Sequence, residues 1–172
     1  MNGKNRKFYA RYLAHGAIIA AMYAALTHLQ NILFPGSASM AIQFRVSEAL
    51  CVLAFFTPAA VPGLSVGCAL FNLSFAGSLP LDAVVGTAAT FFATFSMRLT
   101  RKYPLVALTM PALFNGLLVG WELTVYIGGG FWLNALYVAI GEAVVCYTLG
   151  LLLWKLLTRR NLGRRIFKEW AR

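Results

Sequence analysis

The chain has 172 residues, 60% of them hydrophobic and only 12% charged, with a formal net charge of +10. A water-soluble domain carries roughly twice that charged fraction, so most of this chain is solvated by lipid. The positive excess does not mark a nucleic-acid surface, because it sits in short flanks: Lys4, Arg6, Lys7 and Arg11 before the first apolar run, Arg98, Arg101 and Lys102 in one connection, and a cluster from Lys155 to Arg172.

Taken in order, the chain reads as a basic segment over 1–13, a six-helix integral-membrane domain over 14–157 and a basic amphipathic segment over 158–172. Helix 1 is expected from about Ala14 to Phe34. Its basic-then-apolar start resembles a signal peptide, but without a convincing cleavage site it reads as a retained first span. Ala17, Ala21 and Ala25 recur every four residues along it, beside a second row of Ala20 and Ala24. Small residues at that spacing let another helix approach closely. His15 is expected at one end of this helix, with His28, Gln30 and Asn31 near the other.

Helix 2 is expected from about Met40 to Phe56, stopped by Pro58. Helix 3 follows from Ala59 to Ala76, with Pro62 in its first turn, where proline is tolerated. After the Gly77–Pro80 connection, helix 4 takes Leu81 to Met97. Pro104 opens helix 5, which reaches about Ile127. Gly128, Gly129 and Gly130 break it, and helix 6 runs from Phe131 to about Leu157. Spans of about 20 residues match the hydrocarbon core, and those near 17 are short but feasible. Gly63/Gly67 and Gly116/Gly120 repeat the small-residue spacing on helices 3 and 5.

With six spans, all three basic flanks fall on one side and both glycine-containing connections on the other, which places both termini in the cytoplasm. The segment from Arg159 to Arg172, with Leu162, Ile166, Phe167 and Trp170, reads as a helix lying on anionic lipid. Cys51, Cys68 and Cys146 each sit in an apolar run and read as small buried hydrophobes, not as a disulfide framework or a metal site.

Arg45 is the one basic residue outside this pattern. It stands three residues from Glu48 in Gln43–Leu50, so on a helix the two share a face and can meet each other or a common ligand. Ionisable groups in a span are costly and mark candidate sites. At about 1.5 Å per residue, Arg45, Glu48, Asn72, Asp82 and Glu122 with Trp121 all fall in the outer part of their helices, and Asn115 and Glu142 near the midplane. These eight residues are the candidate substrate-binding set of an outward-facing polar pocket. Trp121 is the aromatic expected to stack on a flat ligand; Tyr126, Phe131, Trp132 and Tyr137 read as an interfacial belt. The bland alternative is that the polar groups only satisfy one another. For the whole set it is weaker, because a pure scaffold is more stable with apolar residues there.

No GxxxxGK[ST] loop, HExxH, nucleophile elbow or Cys/His metal spacing appears, so neither an enzyme nor a cofactor-bearing protein is expected. A polar pocket in a small bundle without its own energy source suggests a binding subunit. The alternative is a self-sufficient carrier driven by protons, with Glu142 as the relay.

The run Gln43-Phe44-Arg45-Val46-Ser47-Glu48-Ala49-Leu50, continued by Pro58-Ala59-Ala60-Val61-Pro62-Gly63-Leu64 and Gly67-Cys68, resembles the queuosine-precursor transporter family (QueT type). Leu81-Asp82, Gly86-Thr87 and Asn115-Gly116-Leu117-Leu118-Val119-Gly120-Trp121-Glu122 fit the same pattern. The resemblance implies an all-α bundle of six transmembrane helices in the bacterial plasma membrane, the substrate-specificity (S) component of an energy-coupling factor (ECF) transporter. It implies a deazaguanine ligand, and as partners a transmembrane coupling protein and two ATPase subunits. Ala17, Ala21 and Ala25 match the feature by which S components meet the coupling protein. A deazaguanine base has adjacent N–H donors and a carbonyl on one edge. Glu122 or Glu48 is expected to read the donors, Arg45, Asn72 or Asn115 to donate to the carbonyl, and Asp82 to contribute charge.

Overall fold

The structure, a computed structural model, describes residues 3–37, 43–75, 78, 80–159 and 161–168. Helix α1 runs Gly3–Leu33, so the basic flank is not a separate segment but an extension of the first helix by three turns beyond the expected Ala14. Nothing between Gly3 and Leu13 breaks a helix, and Lys, Arg, Ala and Leu favour one. At about 1.5 Å per residue, α1 is longer than a hydrocarbon core is thick, and its polar first turns project beyond it.

The second expected span takes a different form. Val46–Phe55 is a ten-residue 3-10 helix, with Arg45 before it in extended backbone at φ −85°, ψ 93°. Such runs are uncommon because side chains three apart eclipse one another. This one rises about 2.0 Å per residue, so ten residues cover about 20 Å where an α-helix would cover about 15 Å. The part of the expectation that begins at Met40 lies outside the described residues.

Helix α2 is Ala60–Ser74, with Pro62 in its first turn as expected. Its expected end at Ala76, and Gly77 and Leu79 of the following connection, lie outside the described residues. Helix α3 is Asp82–Leu99. The fifth span is split into α4, Pro104–Ala107, and α5, Met110–Tyr126. Pro111 explains the split: it has no N–H to give the Ala107 carbonyl, and its ring crowds that oxygen. Helix α6, Phe131–Val145, passes through a π turn at Cys146–Gly150 into α7, Leu151–Arg159. Asn161, at φ 50°, turns the chain into the short α8, Leu162–Ile166.

Helices α1, α2, α3, α5 and α6 pack in that sequence around the 3-10 helix, which touches α1, α2, α3, α6, α7 and the π turn. Ser47 to Leu53 and Ala54 are buried there. Two interfaces rest on glycine. A Cβ on Gly67 would lie 2.7 Å from the Ala20 carbonyl and from Tyr23 Cβ, and one on Gly120 would lie 2.6 Å from Ala135 Cα. Gly63/Gly67 and Gly116/Gly120 thus serve contacts within the bundle.

Among the described residues, three helices are long and apolar enough to cross a membrane, Asn5–Leu33, Pro104–Tyr126 and Phe131–Arg159. Large apolar side chains cover the outside, from Leu13, Ile32 and Leu33 on α1 to Leu99, Ile127 and Trp132. The basic flanks gather at one end of the bundle. Phe167 packs on His15 at 5.2 Å between ring centroids, and Arg98 Nη1 donates to the Ala54 carbonyl at 3.0 Å, at the close of the 3-10 helix. The expectation that Phe167 faces lipid is corrected: it is buried against α1, while Leu162 and Ile166 point outward. Glu169 and Trp170 lie outside the described residues.

Candidate functional site

Polar residues recur on the inward faces at helical spacing. On α1 these are Tyr23, Thr27 and Gln30, on α3 Thr90 and Thr94, on α5 Asn115 and Glu122, and all are buried. Together with Arg45, Ser47 and Glu48 from the central segment, Asn72, Asp82 and Glu142, they form a polar interior in an otherwise apolar bundle.

Glu48 is built into this interior from three sides. Its Oε1 accepts from Tyr23 Oη at 2.5 Å and from Thr90 Oγ1 at 3.5 Å, and its Oε2 from Cys51 Sγ at 3.0 Å. Cys51 is its eclipsed neighbour three residues on, a relation the 3-10 geometry creates. One turn away, Thr27 Oγ1 lies 2.7 Å from Ser47 Oγ.

Arg45 is within electrostatic reach of Glu48 but is placed by different neighbours. Because its backbone is extended, the helical three-residue spacing to Glu48 does not apply. Its Nη1 lies 3.7 Å from Cys68 Sγ, its Nη2 is 3.5 Å from Gln43 Oε1, and Cζ stands 6.0 Å from the Phe71 ring centre. Gly86 leaves room for this group: a Cβ there would lie 2.8 Å from Asn72 Nδ2 and 3.9 Å from Arg45 Nη1. Asn72 Nδ2 donates to the Asp82 carbonyl at 2.7 Å, tying α2 to the start of α3.

The remaining acids surround Arg45. Glu122 is within electrostatic reach of Asp82 and Arg45, and Glu142 within reach of Glu48 and Arg45. Asn115 lies two turns below Glu122 on the same face of α5. The backbone of Gln43 lies directly on Gly141 of α6, where a Cβ would collide with the Gln43 carbonyl. The segment that carries Arg45 is therefore laid across α6 one residue before Glu142. Gln30 holds it: its Nε2 donates to Ser37 Oγ at 2.9 Å and to the Phe44 carbonyl, and its Oε1 accepts from Val46 N at 2.8 Å.

Several polar atoms in this interior are left without an ordinary partner among the described residues. Glu142 Oε2, Asn115 Nδ2 and Thr87 Oγ1 are buried and have no hydrogen-bond partner among the described residues, and the buried carboxyl of Glu122 meets no N–H or hydroxyl donor there, only the carboxyl of Asp82. Buried groups are normally paired, so a set of acceptors and donors left open on α3, α5 and α6 asks for a ligand.

A family model described as QueT transporter matches residues 13–159. The chain belongs to the QueT transporter family. No curated protein and no solved structure matches it. It is an all-helical membrane protein of a transporter family.

Of the eight residues expected to form the site in this QueT chain, the structure brings seven into the buried interior. Trp121 is the exception, at 48% exposure on the outer side of α5. Adjacent helical residues point about 100° apart, so Glu122 inward puts Trp121 outward, with Tyr126 and Trp132. Sequence reasoning missed Tyr23, Gln43, Thr87 and Thr90. For Tyr23 and Thr90 the signal was a polar stripe on an apolar helix, Tyr23-Thr27-Gln30 and Thr87-Thr90-Thr94. Nothing local marks Gln43, whose place depends on Gly141. Ala17, Ala21 and Ala25 are exposed, while Ala20 of the neighbouring row is buried against α2.

Proposed function

We propose that this chain is the substrate-binding membrane subunit of an ECF-type importer and that it captures a queuosine precursor, a deazaguanine base. The carrying observation is that buried atoms of Glu122, Asn115 and Glu142 meet no N–H, hydroxyl or carbonyl partner among the described residues. A flat base with two adjacent N–H donors suits a carboxylate that accepts both, and Glu122 has two oxygens to offer. Asn115 Nδ2 supplies a donor for the carbonyl beside them. Arg45 and Asp82 shape the charge around the base, and an aminomethyl substituent, being cationic, is met by the nearby acids. Glu48 is a positioning residue in this reading, since Tyr23, Thr90 and Cys51 already occupy its carboxylate.

The proposed orientation has six spans and both termini in the cytoplasm. The clustering of basic residues at one end of the bundle supports it. The exposed row Ala17, Ala21 and Ala25 is the surface proposed to meet the coupling protein, with two ATPase subunits providing the energy.

Uptake assays separate this reading from a self-sufficient carrier. In cells lacking other routes, labelled precursor is expected to accumulate only when the chain is produced together with an ECF coupling protein and its ATPases. Accumulation with this chain alone contradicts the proposal and favours a proton-driven carrier.

A further inference from the structure

The basic end of the bundle contains two adjoining clefts, separate from the polar interior. A cavity of about 410 Å³ is lined by His15, Ile18, Met22, Leu50, Leu157 and Phe167, among others, almost wholly apolar. A second cleft of about 320 Å³ is lined by Arg11, His15, Arg165, Ile166 and Lys168. The two share His15 and Ile166, so an apolar chamber and a cationic one meet at a single wall.

The larger cavity opens to the outside past Ile18, Met22 and Ile166, all of them exposed, and its apolar lining does not attract water. At about 30 Å³ per water-sized group, the larger cavity has room for roughly a dozen such groups, a length of acyl chain. The cationic cleft gives the other half of the recognition, since a phosphate is matched by clustered Arg and Lys. At the boundary, His15 Nδ1 is buried with no hydrogen-bond partner among the described residues. A polar atom there suits the ester region, where a lipid turns from head to tail. α8 builds the wall by folding back, with Phe167 on His15 and Gly163 against the Phe56 ring.

We propose that this end of the bundle binds one anionic phospholipid, its acyl chain in the apolar cavity and its phosphate on Arg11, Arg165 and Lys168. The site differs from general lipid contact in having both a defined chamber for the tail and a defined cluster for the head.

Native mass spectrometry of the full-length chain, extracted in mild detergent and exposed to phosphatidylglycerol, phosphatidylcholine or glycerol phosphate, tests it. One phosphatidylglycerol is expected to stay bound per chain, with at least tenfold less phosphatidylcholine and no glycerol phosphate. Arg165→Glu with Lys168→Glu, and separately Met22→Trp, are each expected to lower phosphatidylglycerol retention at least tenfold. Met22 is 44% exposed, so a larger side chain can enter the cavity without repacking the core. Wild-type melting temperature is expected in both variants when lipid-free, which shows that the fold survives. Equal retention of the two phospholipids, unchanged retention in Met22→Trp, or binding of glycerol phosphate alone overturns the proposal.

Discussion

Tyr23 Oη lies 2.5 Å from Glu48 Oε1, joining the long first helix to the 3-10 helix at a point shielded from both lipid and water. A hydroxyl this close to a carboxylate is a charge-assisted bond, stronger than a neutral one. Tyr23→Phe removes it and leaves Glu48 with Thr90 and Cys51. The expected cost is about 1.5–3 kcal/mol of stability, seen as a lower melting temperature in detergent. Precursor affinity of the protein that remains folded is expected to change little if, as proposed, Glu48 positions the bundle and Glu122 reads the base.

Glu122 is expected to behave in the opposite way. Glu122→Gln keeps the shape but replaces one acceptor by a donor, which the paired N–H groups of the base repel. Affinity is expected to fall at least tenfold, about 1.4 kcal/mol or more, and melting temperature to hold or rise because a buried carboxyl has been removed. Titration and melting of the same sample check both.

Gln30 bonds Ser37, Phe44 and Val46, on both sides of the segment between α1 and the 3-10 helix. Gln30→Ala is expected to raise amide exchange at Phe44 and Val46 by tenfold or more while α3 and α5 stay protected, which hydrogen-exchange mass spectrometry resolves. Gly141→Ala is expected to do the same from the other side, since its Cβ would meet the Gln43 carbonyl.

The exposed alanines separate binding from transport. Ala21→Leu adds bulk at an exposed position, so isolated protein is expected to bind precursor as wild type does. Uptake with the ATPase module is expected to fall severalfold or more. Ala20→Leu, in the row buried against α2, is expected to reduce the yield of folded protein, which size-exclusion chromatography reports.

Much of this arrangement was legible in the residues. Apolar runs and their breakers located most of the helices, and the cost of ionisable groups in lipid singled out Arg45, Glu48, Asp82, Glu122 and Glu142. What sequence could not give was the form of the second span. A 3-10 helix and an α-helix use similar apolar patterns, and only packing against five neighbouring helices decides between them. That choice altered the site: it placed Arg45 before the helix, in extended backbone, and put Cys51 in register with Glu48. Trp121 failed for a simpler reason, since neighbours in sequence on a helix do not share a face. Pro111 was readable as a breaker, and a proline seven residues after Pro104 ends the helix that the first one starts.

The central claim is that the open carboxyl of Glu122 awaits the donor edge of a base. Isothermal titration of the purified chain with the aminomethyl deazaguanine precursor tests it most directly. The account predicts one-to-one binding by the wild type, at least tenfold weaker binding by Glu122→Gln, and no comparable loss for Trp121→Phe. Equal affinity in wild type and Glu122→Gln, or no binding by well-folded wild type, would contradict it.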